Sequence, residues 1–223
     1  MTKSTIQKIV FTIIFVAIGF GLMQVPFTQL IGSKLKFTLF DFYGPIAGGF
    51  LGSVWGMITV LAMQIANWAW HGFNTETATL IRFFPMLFAV LYFARKSRAI
   101  LAVPVIAMLV FWAHPEGRQA WHFALYWLIP LAAHFFRNKI LFARALGTTF
   151  TAHAVGGALW IWFVPGMKAA AWIGLIPVVW KERGLMAIGI TLSFVVFNFL
   201  FSLAAKKIRG LDFLKLHPKY SVK

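Results

Sequence analysis

The stretch FDFYGPIAGGFLGSVWG, Phe40–Gly56, decides how the chain is threaded. It holds one acid, one proline and five glycines inside a run with almost no other charge. It reads as one helix, as two helices meeting at Gly48-Gly49, or as a ligand-handling loop. At ~1.5 Å per residue a straight helix over Phe37–Trp70 would be ~51 Å long, well beyond a bilayer's hydrocarbon. Pro45 and the paired glycines supply a break. We read a short leg around Thr38–Ala47 followed by a full helix from about Phe50 to Trp70. Gly48, Gly52 and Gly56, spaced four apart, also form a face that another backbone can approach closely.

The surroundings of this stretch are those of a membrane protein. Of 223 residues, 61% are hydrophobic and 12% charged, with mean hydropathy +0.81. Asp, Glu, Lys and Arg are absent from Ile9–Ser33, Phe42–Thr75, Ala145–Met167 and Gly184–Ala205. Each window reaches the ~20 residues that span a bilayer as a helix. The expected fold is an all-α polytopic bundle of six to eight transmembrane helices, one domain over residues 1–223, with 206–223 a basic cytoplasmic tail. The apolar segments are Ile9–Leu30, Phe37–Trp70, Thr79–Ala94, Ile100–Ala113, Gln119–Phe136, Leu146–Val164 and Gly184–Ala205. An eighth, KAAAWIGLIPVVWKER, is short and broken by Pro177, and reads as a loop or interfacial half-helix.

The net charge of +16 gathers in short loops and at the C-terminus, the pattern of the positive-inside rule and of attraction to anionic lipid. Nucleic acid is not needed to explain it. RKSR (Arg95–Arg98), RNKILFAR (Arg137–Arg144) and the tail mark the inside; HGFNTETAT, HPEGRQ and PGMKAAAWIGLIP fall outside. With Phe37–Trp70 broken there are eight spans and an inside N-terminus; unbroken, seven and an outside one. Loop charge is equal in the two versions and does not choose. There is no cysteine, hence no disulfide and no thiolate chemistry. H-E-x-x-H, G-x-S-x-G and the P-loop are all absent, so ATP-driven work needs a partner. The reading names no metal and no cofactor.

Polar residues within apolar segments are costly and therefore candidates for function. Arg82 either binds an anionic group or reaches to the headgroups. Asp41 pairs with Lys34 or Lys36, or caps a helix. Glu116, Arg118, His122 and Tyr126 cluster near Trp121 and Trp127, as a pocket wall or as an aromatic belt. His153 is a histidine bonded across helices, or a ligand or proton carrier.

FDFYGPIAGGFLGSVWG, followed by LGTTFTAHAVGGALWIW and PVVWKERGLMAIGITLSFVVFNFL, resembles the substrate-binding (S) component of energy-coupling factor (ECF) transporters. That resemblance implies a bundle of about six helices with both termini cytoplasmic and a vitamin or similar solute bound near the outer face. It also implies a separate transmembrane coupling subunit and two ATPase subunits as partners. Small residues on the first helix, here Ala17 and Gly21, would face the coupling subunit. The seven or eight apolar segments depart from six, so no family site residue is transferred. The expected solute site rests on polar and aromatic groups at the outer end: Asn67, Trp70, Arg82, Glu116, Arg118, His122, Tyr126, Trp160 and Trp172. Two other classes stay open: an intramembrane redox or other enzyme using His122, His134 or His153, and a membrane scaffold without a small ligand.

Overall fold

The computed structural model describes residues 3–29, 36–94, 97–208 and 210–222. Helix α1 (Lys3–Met23) leads into an antiparallel ribbon, β1 (Pro26–Gln29) with β2 (Lys36–Thr38). Then come α2 (Phe40–Tyr43), a 3-10 turn Gly44–Ile46, α3 (Ala47–Leu51), α4 (Ser53–Trp70), α5 (Thr77–Ile81) and α6 (Phe83–Ala94). A 3-10 turn Arg98–Leu101 precedes α7 (Ala102–Ala113) and α8 (Pro115–Gln119), and a 3-10 stretch Trp121–Leu128 runs into α9 (Ile129–Phe136). The long helices α10 (Leu141–Phe163) and α11 (Ala169–Lys207) follow. The chain is mostly helical, with the short two-stranded ribbon as an addition to the expected all-α bundle, and the first segment is helical only to Met23. The Gln24 side chain donates to the Phe20 carbonyl at the helix end (3.1 Å), and Pro26, which has no N–H, opens the strand.

Among the described residues three helices are long and apolar enough to cross a membrane: Thr5–Met23, Thr77–Ala94 and Ala169–Lys207. They point to membrane association. Hydroxyls inside the apolar helices satisfy themselves locally. Thr59, Thr148, Thr151 and Thr191 each donate to the carbonyl four residues back, so these four hydroxyl hydrogens are not left facing apolar neighbours.

The deciding stretch is broken, but at Gly52 rather than at Gly48-Gly49. Gly52 has φ +82° and ψ −178°, backbone that only glycine adopts readily. The leg α2–α3 folds back on α4: a Cβ on Gly56 would stand 3.0 Å from the Ala47 carbonyl carbon and the Gly48 Cα. Gly48 in turn lies against the Val90 carbonyl of α6. The glycines thus serve both readings, one making the corner and its neighbours allowing backbones to touch.

The stretch KAAAWIGLIPVVWKER is not a loop. It is the first part of α11, which has 39 residues with Pro177 inside it, ~58 Å of helix. The tail is not free either. Leu211 and Leu214 are buried in the core around Phe15, Tyr43, Phe50, Phe93 and Phe194. The Lys215 amide donates to the Phe50 carbonyl (3.0 Å), one that the corner at Gly52 takes out of helical pairing. Asn198, fully buried, accepts from the His217 amide (2.7 Å) and donates to the His217 carbonyl (3.1 Å). Gln7 of α1 adjoins Gly210, so the first turns of α1 and the start of the tail meet at one end of the bundle. A second core gathers Phe111, Phe123, Trp127, Phe150 and Trp172. Helix α10 packs against α6, α7, α9 and α11.

The basic segment RNKILFAR has a structural task as well as a topogenic one. Arg137 donates to the Tyr92 carbonyl (2.6 Å) and Arg144 to the Phe93 carbonyl (2.6 Å). Carbonyls in the last turn of a helix have no partner within it, and two guanidinium groups here close the end of α6. Arg95 and Lys96 lie outside the described residues, as does Lys34.

Candidate functional site

A half-open cavity of about 1090 Å³ lies where the two cores meet. Its walls come from the end of α1, the ribbon, α2, α4, α5, α6, α10 and α11. Of the expected solute-binding residues, Asn67, Arg82, Trp160 and Trp172 line it, and so does His153. Lys36, Asp41, Gln64, Glu182 and Arg183 line it too, and the sequence reading did not place them in a solute site.

Each polar wall residue is held by identifiable contacts. The Asn67 side chain accepts from Gln24 (2.8 Å), tying α4 to the end of α1. Arg82 donates to the Lys36 carbonyl (2.9 Å), and its own carbonyl accepts from Gln64 (3.0 Å). Arg82 is therefore a mouth residue stapled to the ribbon. Asp41 accepts from the Thr38 amide (2.8 Å), as an acid in the first turn of a helix does. The Nη2 of Arg183 stands 4.0 Å from the Glu182 carboxylate, too far for a hydrogen bond. The Arg183 guanidinium lies over the Phe37 ring at 4.9 Å, within cation–π range.

Three buried polar atoms of this wall have no hydrogen-bond partner among the described residues: Gln64 Oε1, Trp172 Nε1 and Arg183 Nε. Buried polar groups are nearly always paired, and an unpaired one costs about 1–3 kcal/mol. Two donors and an acceptor without partners therefore belong to residues spread along the wall of one cavity, and a few polar groups in a mostly apolar wall are what small-molecule sites use as anchors.

The remaining expected site residues stand elsewhere. Trp70 is 73% exposed and meets Phe20 edge-on. Arg118 is exposed on the short α8. His122 and Tyr126 line a separate shallow recess of about 400 Å³, and the Tyr126 hydroxyl donates to the Ile176 carbonyl (2.8 Å). Glu116 accepts from the Ala169 amide (2.7 Å) and pairs with Lys168 (3.3 Å); it caps the start of α11 rather than facing the cavity. The polar run at 114–126 is a cluster in sequence whose members turn to different neighbours. Ala17 and Gly21 are exposed on α1, and a Cβ on Gly21 would meet no atom within 4 Å.

The histidines weighed for redox chemistry stand in different surroundings. His153 Nδ1 accepts from Trp127 Nε1 (3.0 Å), a bond between α10 and the 3-10 stretch. His134 meets Tyr92 edge-on, and His122 lies beside Trp121.

The amide of Ala169 holds the Glu116 carboxyl below its ordinary value, with help from Lys168. A depressed carboxylate stabilises the folded state above its unfolded pKa, and that contribution fades as pH falls through the folded value. Acidification below about pH 4 accordingly loosens the first turn of α11. Glu116→Ala does the same at neutral pH, seen as faster hydrogen exchange at Ala169, and leaves cavity binding unchanged. An unaltered Ala169 amide in that variant would remove the cap.

No protein-family model, curated protein or solved structure matches this chain.

Proposed function

We propose that this protein is the membrane-embedded, solute-binding subunit of a small-solute importer of the ECF type. The observation that carries the reading is the cavity with three buried, unpartnered polar atoms. A cavity of about 1090 Å³ is slightly larger than the roughly 300–1,000 Å³ usual for small-molecule sites. In this reading the chain is a multi-pass protein of the cell membrane. The end where the first turns of α1 meet the start of the tail is cytoplasmic, and the cavity mouth faces out. The chain carries no nucleotide-binding motif, so partner ATPase subunits and a transmembrane coupling subunit drive transport. Ala17 and Gly21, on an open face of α1, would meet that coupling subunit.

Native mass spectrometry on protein released gently from its own membranes tests this. A stoichiometric small molecule is expected, retained by the wild type. Gly156 lines the cavity, and a Cβ there meets only Pro85, at 3.4 Å. Gly156→Trp therefore fills the cavity without disturbing a backbone, and lowers solute retention at least ~10-fold, a loss of ~1.4 kcal/mol. A wild type that carries no small molecule and co-purifies with no ATPase subunit overturns the reading.

A further inference from the structure

The wall of the cavity is unevenly charged. Lys36, Arg82 and Arg183 line it together with Asp41 and Glu182, which leaves one net positive charge. In a membrane protein an uncompensated charge is expensive, and a cation without a full partner marks a place where an anion belongs. Of the three cations, Arg82 is exposed at the mouth with Nη2 held on the Lys36 carbonyl. Arg183 is different. It is only 7% exposed, its nearest carboxylate is beyond hydrogen-bond reach, and its Nε has no partner among the described residues. A guanidinium in that state offers fixed donors to an oxyanion.

The other end of the wall is aromatic. Trp172, Leu175, Val179 and Arg183 recur at the spacing of one face of α11, and all four line the cavity. Trp172 and Arg183 are eleven positions apart, ~16 Å along the helix, so one small group does not reach both. From α10, Gly156 leaves the wall flat between His153 and Trp160. Phe123 and Trp160 complete the apolar part, and Trp172 is itself seated edge-on against Phe111 and Phe123.

We infer that the cavity takes a planar, largely apolar solute bearing a single acid group, with the acid on Arg183 and the planar body extending toward Trp160 and Trp172. This deepens the solute-binding reading and rests on it. In this assignment the anchor is Arg183, which the sequence reading did not place in the site, while Arg82, weighed there as an anion-binding or headgroup-reaching residue, frames the entrance.

A matched pair of fluorescent probes tests the two statements separately. One is 8-anilino-1-naphthalenesulfonate, planar and monoanionic; the other is N-phenyl-1-naphthylamine, the same skeleton without the charge. Both are titrated into the full chain in phosphatidylcholine nanodiscs, with empty nanodiscs subtracted. Binding is read by energy transfer from the ten tryptophans. The anionic probe binds saturably. Arg183→Gln weakens it ~10-fold or more and changes the neutral probe less than about twofold, Arg183→Lys restores much of the loss, and Gly156→Trp removes both probes. If Arg183→Gln, with unchanged circular dichroism, weakens neither probe or both alike, the acid assignment is overturned while the solute cavity stands. If neither probe binds the wild type saturably, the cavity reading falls, and the acid assignment with it.

Discussion

Gly52→Val costs about 3 kcal/mol or more and prevents the leg and α4 from closing on each other. The φ of +82° with ψ near 180° belongs to a region populated essentially by glycine, and a β-branched residue is the worst tenant for it. A Cβ would also stand 3.1 Å from the Lys215 ammonium, so the strained residue would press on the tail that covers the corner. The damage spreads, because Gly56 touches Ala47–Gly48 only while the corner holds, and Gly48 supports α6 through the Val90 carbonyl. Thermal unfolding in a mild detergent reads the loss. Gly21→Ala, on an open face of α1, is the matched control and should leave stability near the wild-type value. A Gly52→Val protein as stable as the wild type would mean that the corner carries no strain requirement.

Asn198→Leu should cost about 2–3 kcal/mol, as expected when a buried amide loses several partners at once. The side chain serves the His217 amide, the His217 carbonyl and the Ser221 hydroxyl, and leucine, of similar size, serves none of them. The tail should then detach from residue 210 onward, exposing Leu211 and Leu214 and freeing the Phe50 carbonyl. Limited proteolysis gives the answer: cleavage within 211–222 accelerates several-fold, well beyond any effect of Ser202→Ala, which removes one bond to the tail, from the Val222 amide, and one to the Phe199 carbonyl of its own helix. Equal protection in both variants would show that apolar contact alone holds the tail.

The membrane character was legible from the charge-free windows, because excluding Lys, Arg, Asp and Glu over more than twenty positions has few other physical causes. The break in Phe37–Trp70 was legible as well, though not its position. A glycine pair draws the eye, yet Gly48 and Gly49 are glycine because α6 and the rings of Phe93 and Phe194 crowd them. The single Gly52 carries the positive φ, and composition does not separate these two uses of the residue. Pro177 and the charges after it suggested a loop. The helix continues through them because Arg183 turns into the cavity, a destination visible only in three dimensions. The spacing of Trp172, Leu175, Val179 and Arg183 was the signal that could have revealed it. Asn67, Arg82, Trp160 and Trp172 line the cavity, and costly polar and aromatic groups in or beside apolar segments were the signal that singled them out. Glu116, Arg118, His122 and Tyr126 stand away from this cavity, because neighbours in sequence point apart along the 3-10 stretch and the short α8.

Helix α11 runs from the cavity wall at Trp172 and Arg183 to the tail clasp at Asn198. Pro177, its one internal proline, lies on the cavity side of Arg183. Between Arg183 and Asn198 there are ~22 Å of helix without a proline joint. The Arg183 part of the wall and the clasp are thus mounted on one proline-free segment, while Trp172 and Leu175 lie beyond Pro177. A tilt of a few degrees at Arg183 would displace the clasp by about an ångström, because the two ends of this helical segment move as one body.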